Sequence, residues 1–433
     1  MNKRLPLFLL TTILFTAFAS AQDAQTIKKE KNKFAIKVQP FTGTYLDQNH
    51  HFDKFREKGS FVPTGINLGL EFPSMQQRPW QQYLNNSTFG VGMSLIDFGN
   101  DIVGKSVAVY PYLLIPAIRL KHFELDFKVA AGLGLVTEHW YTGNVSPDNY
   151  DYSSPDVSTI FGCYLNAYLN AGVNVNIPIN RNVALNSEFG YFHMSNGRTC
   201  MPNVGLNAIY GGVGVIKTFN ANAEKSPIQF PDLPYKWSLN ITGAAGAHRA
   251  WMYYPLYLIS SFHTGAVYNV TNWYAVGMGV DAFYNGAIDK GTGRSLYCQD
   301  REYTTADKIR VGIALNNEFQ FGLVTAIVDW GVYLYNPSRN YYYDSHVEYG
   351  HDHKHPLFYK SMGAGSEEAF HYFRFGLKTR IWDNFYLQTT AKTHLYIAEY
   401  VEFGIGYQIP FLKKDKRSKG KSIIYHHNKN WWK

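Results

Sequence analysis

The chain has 433 residues, of which 45% are hydrophobic and 16% aromatic against only 17% charged. Beyond residue 21 it contains no apolar run of the ~18 residues that a membrane-crossing helix requires, which excludes a helical membrane span in the mature chain. The formal net charge of +8 is partly a tail effect, since Lys413, Lys414, Lys416, Arg417, Lys419 and Lys421 crowd one short segment. Those residues read as a solvated tail near anionic lipid or periplasmic partners rather than as a nucleic-acid site.

Residues 1–21 have the form of a secretory signal. Lys3 and Arg4 give a basic start, Leu7 to Phe18 an apolar run, and Ala19-Ser20-Ala21 a cleavage site, so cleavage after Ala21 is expected. A retained membrane helix is the competing reading, and the apolar run is short for it. No cysteine follows Ala21, so no lipoprotein anchor is expected. The three cysteines are Cys163, Cys200 and Cys298. An odd number in an oxidising compartment leaves at least one unpaired, and Cys163 with Cys200 is the candidate bridge.

Alternation of residue types then sets the fold class. From Phe123 to Leu135, one face carries Phe123, Leu125, Phe127, Val129, Leu133 and Leu135, and the other Glu124, Asp126 and Lys128. From Cys163 to Ile177, an apolar row alternates with Tyr164, Asn166, Tyr168, Asn170, Asn174 and Asn176. A transmembrane barrel needs this period of two, apolar toward lipid and polar toward the lumen. A soluble all-β secreted protein would alternate as well, but its strands average about 5–6 residues and these run longer.

Connection lengths point the same way. Tight turns are expected near Lys121-His122, Asn180-Arg181-Asn182, Val270-Thr271-Asn272, Gly322 and Asp383-Asn384, with long loops near Asp47–Ser60, Thr142–Ile160, Asn285–Thr304 and Asn336–Ser366. Outer-membrane barrels alternate short periplasmic turns with long external loops. Pro73–Asn86 departs from that rule. The expected organisation is a barrel half over 30–219, a Pro-containing linker over 220–234, a second half over 235–411 and the basic tail over 412–433. Each half ends in a similar pattern, Gly212-x-Gly214 with Phe219 and Gly404-x-Gly406 with Phe411, which suggests duplication. The fold class is all-β, a transmembrane antiparallel barrel of about 16 strands. One large barrel is preferred, and two linked eight-strand barrels are the alternative.

The stretch Phe189–Asn207 reads F-G-Y-F-H-M-S-N-G-R-T-C-M-P-N-V-G-L-N. Residues two apart on a strand share a face, so His193 and Ser195 project side by side. A base beside a hydroxyl is the minimum needed to activate a serine nucleophile. Both continue the apolar row of Leu185, Phe189 and Tyr191, which faces lipid. Asn203 and Asn207 share parity with Ile209, Val213 and Val215, and are expected to face outward beside them. The pair is expected at the external end of the seventh strand.

H-x-S-N-G followed by P-N-x-G-L-N resembles the outer-membrane lipid A 3-O-deacylases and the broader lipid A acyloxyacyl hydrolases, over about residues 30–220. The resemblance implies an eight-stranded barrel that hydrolyses an ester-linked acyl chain of lipid A. It implies Ser195 as nucleophile, His193 as general base, oxyanion donors from the turn at Asn196 and Gly197, and support from Asn203. The family's triad glutamate falls on Asn207 here. Asparagine can hold the imidazole tautomer, but it supplies no negative charge for the imidazolium. The implied partner is lipid A, or lipopolysaccharide, in the outer leaflet. No cofactor or metal is expected at this site.

In the second half, His394 occupies a comparable place before the final strand, with Tyr396 where a serine would stand, so no second active site is expected. His346, His351, His353 and His355 cluster with Asp344, Glu348 and Asp352 in one long loop. They are competent metal ligands but lack the fixed spacing of a zinc motif, and a solvated loop is preferred. The function expected is an outer-membrane esterase acting on lipid A. Its rivals are a non-enzymatic pore or scaffold with a vestigial site, and a soluble lectin-like protein.

Overall fold

The computed structural model describes residues 33–46, 52–56, 61–75, 78–140, 158–222, 235–249, 255–288, 304–337, 370–382, 384–394 and 397–412. The signal segment, the linker around 223–234, Cys298, Tyr396, the histidine-rich loop and the basic tail lie outside these residues.

Sixteen strands are formed among the described residues. The first eight are β1 Phe34–Tyr45, β2 Thr64–Phe72, β3 Thr88–Asp97, β4 Lys105–Leu120, β5 Phe123–Val136, β6 Leu165–Pro178, β7 Val183–Ser195 and β8 Leu206–Phe219. The second eight are β9 Tyr235–Arg249, β10 Leu256–Asn269, β11 Tyr274–Asn285, β12 Ile309–Phe321, β13 Val324–Tyr335, β14 His371–Trp382, β15 Phe385–His394 and β16 Ile397–Leu412. The helical segments among the described residues are short: α1 (Asp53–Arg56), α2 (Pro79–Tyr83) and a 3-10 turn at Ala306–Lys308.

Within each set of eight, consecutive strands pair antiparallel. β8 then closes onto β1, with Val38 opposite Val215, and β16 closes onto β9, with Ile241 opposite Tyr407. The chain is therefore two closed eight-stranded barrels, and the single barrel preferred from sequence is not formed. The reason lies in the bore. An eight-stranded barrel is just wide enough for its own side chains to fill, whereas sixteen strands enclose a channel. Here the inward faces carry large and small residues in cross-strand pairs: Gly92 opposite Tyr110, Gly90 opposite Tyr112, and Gly190 opposite Tyr210. A Cβ on Gly90 would stand 2.3 Å from the Tyr112 ring, so the ring lies across its partner glycine. The second barrel repeats the device with Gly331 opposite Tyr372 and Gly406 opposite Tyr386.

The rest of the first bore is filled with paired charge. Lys37 and Lys128 each donate to Glu188 at 2.8 Å, and the Tyr210 phenol donates to the same carboxylate. At the end where β1 leaves the barrel, Phe55, Phe98, Ile160 and Phe161 are fully buried together, and the Tyr45 hydroxyl donates to the Phe98 carbonyl at 2.9 Å. In the second barrel Arg374 bridges Asp281 at 2.8 Å and Glu402 at 2.9 Å, while Glu399 receives Arg310 at 2.8 Å and Lys392 at 2.5 Å.

Outward rows are apolar, as a lipid-facing wall requires. Phe127, Val129, Leu169, Val213 and Val215 are exposed, while Asp126, Lys128, Asn170 and Asn174 between and beside them are buried. The β2–β3 connection that departs from the short-turn rule contains α2. Its last residues are held by Arg119, which donates to the carbonyls of Asn85 at 2.8 Å and Asn86 at 3.1 Å. Cys163 and Cys200 do not form the candidate disulfide, and Cys163 Sγ–H donates to the Leu165 carbonyl at 3.2 Å.

Candidate active site

β7 alternates between Asn186, Glu188, Gly190, Phe192 and Met194 facing the bore and Leu185, Ser187, Phe189, Tyr191, His193 and Ser195 facing outward. Phe189, 64% exposed, fixes the sense of the outward row. The strand stops at Ser195, because Gly197 (φ +61) and Arg198 (φ +64) are consecutive left-handed residues that no strand accommodates. The returning segment is guided by a second backbone ladder: Val204 N–H donates to the Thr159 carbonyl at 3.1 Å and Gly205 N–H to the Ile160 carbonyl at 3.0 Å. β8 then begins at Leu206, in a register that sets Asn207 directly opposite His193.

These elements bring three sequence-expected residues into one line. His193 Nε2 lies 2.8 Å from Ser195 Oγ, and His193 Nδ1 lies 2.7 Å from Asn207 Oδ1. An amide oxygen only accepts, so the proton between Asn207 and the ring sits on Nδ1. Nε2 is then the lone-pair nitrogen, and the Ser195 hydroxyl donates to it. Ser195 is 8% exposed, and the imidazole is half-buried on the outward wall.

Asn203 and Asn196 are tied to one another. The Asn196 backbone N–H donates to Asn203 Oδ1 at 3.2 Å, and the Cys200 N–H donates to Asn196 Oδ1 at 3.3 Å. The Asn196 N–H is thereby engaged by a side chain, which leaves the Gly197 N–H as the turn's other backbone donor.

Two further residues touch this line without having been singled out by sequence reasoning. Gly205 (φ +72) passes so close that a Cβ there would meet Ser195 Cβ at 3.1 Å and His193 Cε1 at 3.5 Å. A glycine at the mouth of a strand signals such an approach. The Tyr191 phenol donates to Asn207 Oδ1 at 2.5 Å.

His394, the second-half counterpart, points the other way. It is the last residue of β15, only 3% exposed inside the bore, with Nε2 3.0 Å from the Tyr333 hydroxyl and Nδ1 3.7 Å from Glu399. The outward parity that gives His193 its neighbour is absent there.

The class these features define is a transmembrane β-barrel bearing a histidine–hydroxyl pair on its lipid-facing wall. Comparison with known proteins gives the family. Residues 64–215 match the family model for lipid A 3-O-deacylase (PagL), and residues 237–351 with 357–412 match that for the acyloxyacyl hydrolase C-terminal domain. The chain belongs to this lipid A 3-O-deacylase and acyloxyacyl hydrolase family, and it is an outer-membrane protein. A search of curated proteins finds no match. Among solved structures, the outer membrane enzyme PagL is similar at 13% identity, covering 41% of this chain and 97% of that one with a TM-score of 0.26. A multiply substituted Rh. blastica porin is similar at 10% identity, covering 87% of this chain and 100% of its own with a TM-score of 0.16. BamA from Haemophilus ducreyi lacking POTRA domains 1–3 is similar at 10% identity, covering 88% and 71% with a TM-score of 0.20.

Proposed function

We propose that this chain removes an ester-linked acyl chain from lipid A in the outer leaflet, with Ser195 as nucleophile and His193 as general base. The observation that carries the reading is the unbroken line Ser195 Oγ, His193 Nε2, His193 Nδ1, Asn207 Oδ1, with contacts of 2.8 and 2.7 Å, on an outward-facing wall. Acyl chains of lipid A stay in the bilayer, so a site that attacks their ester must open toward lipid.

Chemistry follows from those contacts. His193 Nε2 takes the Ser195 proton as Oγ bonds to the acyl carbonyl carbon. The carbonyl oxygen becomes an oxyanion, for which the Gly197 N–H and the Asn203 side-chain amide are the proposed donors, each typically worth ~3 kcal/mol. Asn203 suits that role because its Oδ1 is anchored by the Asn196 N–H. The ester C–O bond breaks, and the imidazolium returns the proton to the departing sugar hydroxyl. Water, deprotonated by the same Nε2, then attacks the acyl-serine and releases the fatty acid. Asn207 holds the tautomer throughout but contributes no charge, so turnover is expected to be slower than with a carboxylate at this place.

The rival reading, a pore, is disfavoured by bores occupied by ion pairs and tyrosine rings. Mass spectrometry of lipid A from cells with and without the protein decides between them. The expected result is loss of one acyl chain, abolished by Ser195→Ala. Unchanged lipid A together with conductance steps in planar bilayers would establish the pore instead.

A further inference from the structure

Tyr191 stands on the same outward row as His193 and Ser195, and the steps above give it no part. Across the hairpin its partner is Ile209, so its ring lies diagonal to Asn207, within reach of a long side chain. The phenol O–H donates to Asn207 Oδ1 at 2.5 Å, the same oxygen that accepts the His193 Nδ1–H at 2.7 Å. One amide oxygen gathers two donors from one strand.

That sharing matters because an amide has two unlike ends. With oxygen toward the ring, Nδ1 carries the proton and Nε2 is free to act on Ser195. With the NH2 end toward the ring, Nδ1 becomes the acceptor, the ring proton moves to Nε2, and Ser195 loses its base. A carboxylate carries oxygen at both ends and is immune to this failure. A phenol, whose oxygen lone pair is partly drawn into the ring, donates better than it accepts and therefore selects the oxygen end.

We propose that Tyr191 is a positioning residue: its hydroxyl locks the Asn207 amide with Oδ1 toward the imidazole and so holds His193 with Nε2 unprotonated. The proposal rests on the Ser195/His193 reading and explains how an asparagine can serve where a carboxylate would be self-correcting. A lipid-facing tyrosine is otherwise an interfacial aromatic anchor. An anchor uses the ring, and Tyr191→Phe would leave it intact.

The test uses the full chain in detergent micelles, labelled with 15N-histidine, with the His193 signals identified by their loss in His193→Gln. The wild type is expected to show an unprotonated Nε2, Tyr191→Phe a mixture of tautomers, and Tyr191→Phe combined with Asn207→Asp a single tautomer again. In parallel, Tyr191→Phe should lower kcat for acyl release from lipid A about tenfold, the worth of one hydrogen bond, with KM unchanged. In the Asn207→Asp background the same substitution should cost less than about twofold. A single, unaltered tautomer in Tyr191→Phe, or an equal loss of rate in both backgrounds, overturns the proposal. If the wild type releases no acyl chain while the tautomer still responds to Tyr191→Phe, the esterase reading fails and the positioning role stands.

Discussion

His193 and Asn207 face each other across the β7–β8 hairpin, and the imidazole Nδ1 meets the amide Oδ1 at 2.7 Å. A cross-strand pair in fixed register is a stiffer support than a loop residue, so the ring has little freedom to turn. Asn207→Ala removes the acceptor and leaves Nδ1–H unpaired on a half-buried ring. Acyl release is expected to fall about ten- to a hundredfold, measured as kcat on purified lipid A. Asn207→Glu restores a carboxylate at this position and is expected to raise kcat above the wild type.

Ser195 and His193 act as a unit in the proposed chemistry. Ser195→Ala and His193→Ala should each lower the rate on the order of a thousandfold, and the double variant should be no worse than either single one. All three variants should retain heat-modifiable gel mobility, because neither side chain enters the bore. Multiplicative losses would mean that the two residues contribute separately.

Gly205→Ala tests the close approach of the returning strand. A methyl at φ +72, 3.1 Å from Ser195 Cβ, forces both a strained backbone and a shifted hydroxyl. The backbone cost is about 1–2 kcal/mol, small for a barrel. The loss of kcat should be disproportionate, with the folded fraction on an unheated gel nearly unchanged.

Glu188 lies on the opposite face of the same strand, between Lys37 and Lys128 at 2.8 Å each. Glu188→Gln takes the hydrogen-bonded carboxylate from two buried ammonium groups and leaves Glu71 as the remaining buried counter-charge beside them, at a cost of about 3–5 kcal/mol. The temperature at which the folded band converts to the unfolded one should drop markedly. Molecules that remain folded should retain acyl release, since the bore and the outward wall do not share side chains.

Wall faces were legible from alternation alone. The same period of two that sets Phe189 outward, 64% exposed, sets His193 and Ser195 outward with it. Closure was not legible, because alternation names a face and never a neighbour. Nothing in the β8 sequence distinguishes a partner in β1 from one in β9. The informative signal was the pairing of inward glycines with inward tyrosines, such as Gly92 with Tyr110, and it emerges only once register is known. Tyr191 was hidden for a related reason. As a member of an apolar row it reads as a membrane aromatic, and its link to Asn207 depends on a diagonal across the hairpin. His394 shows the converse, since its place in the sequence mirrors His193 while its parity puts it inside.

The tyrosine rings laid over glycines have a consequence for biogenesis. A hairpin that slips by one residue sends its tyrosines out into lipid, and one that slips by two drives a ring against a side chain where none was needed. With such pairs on β3–β4 and β7–β8, and again on β13–β14 and β15–β16, mispaired intermediates are penalised at several seams as the wall is stitched together. The aromatic filling thus favours one register at each of these seams, besides filling the finished bore.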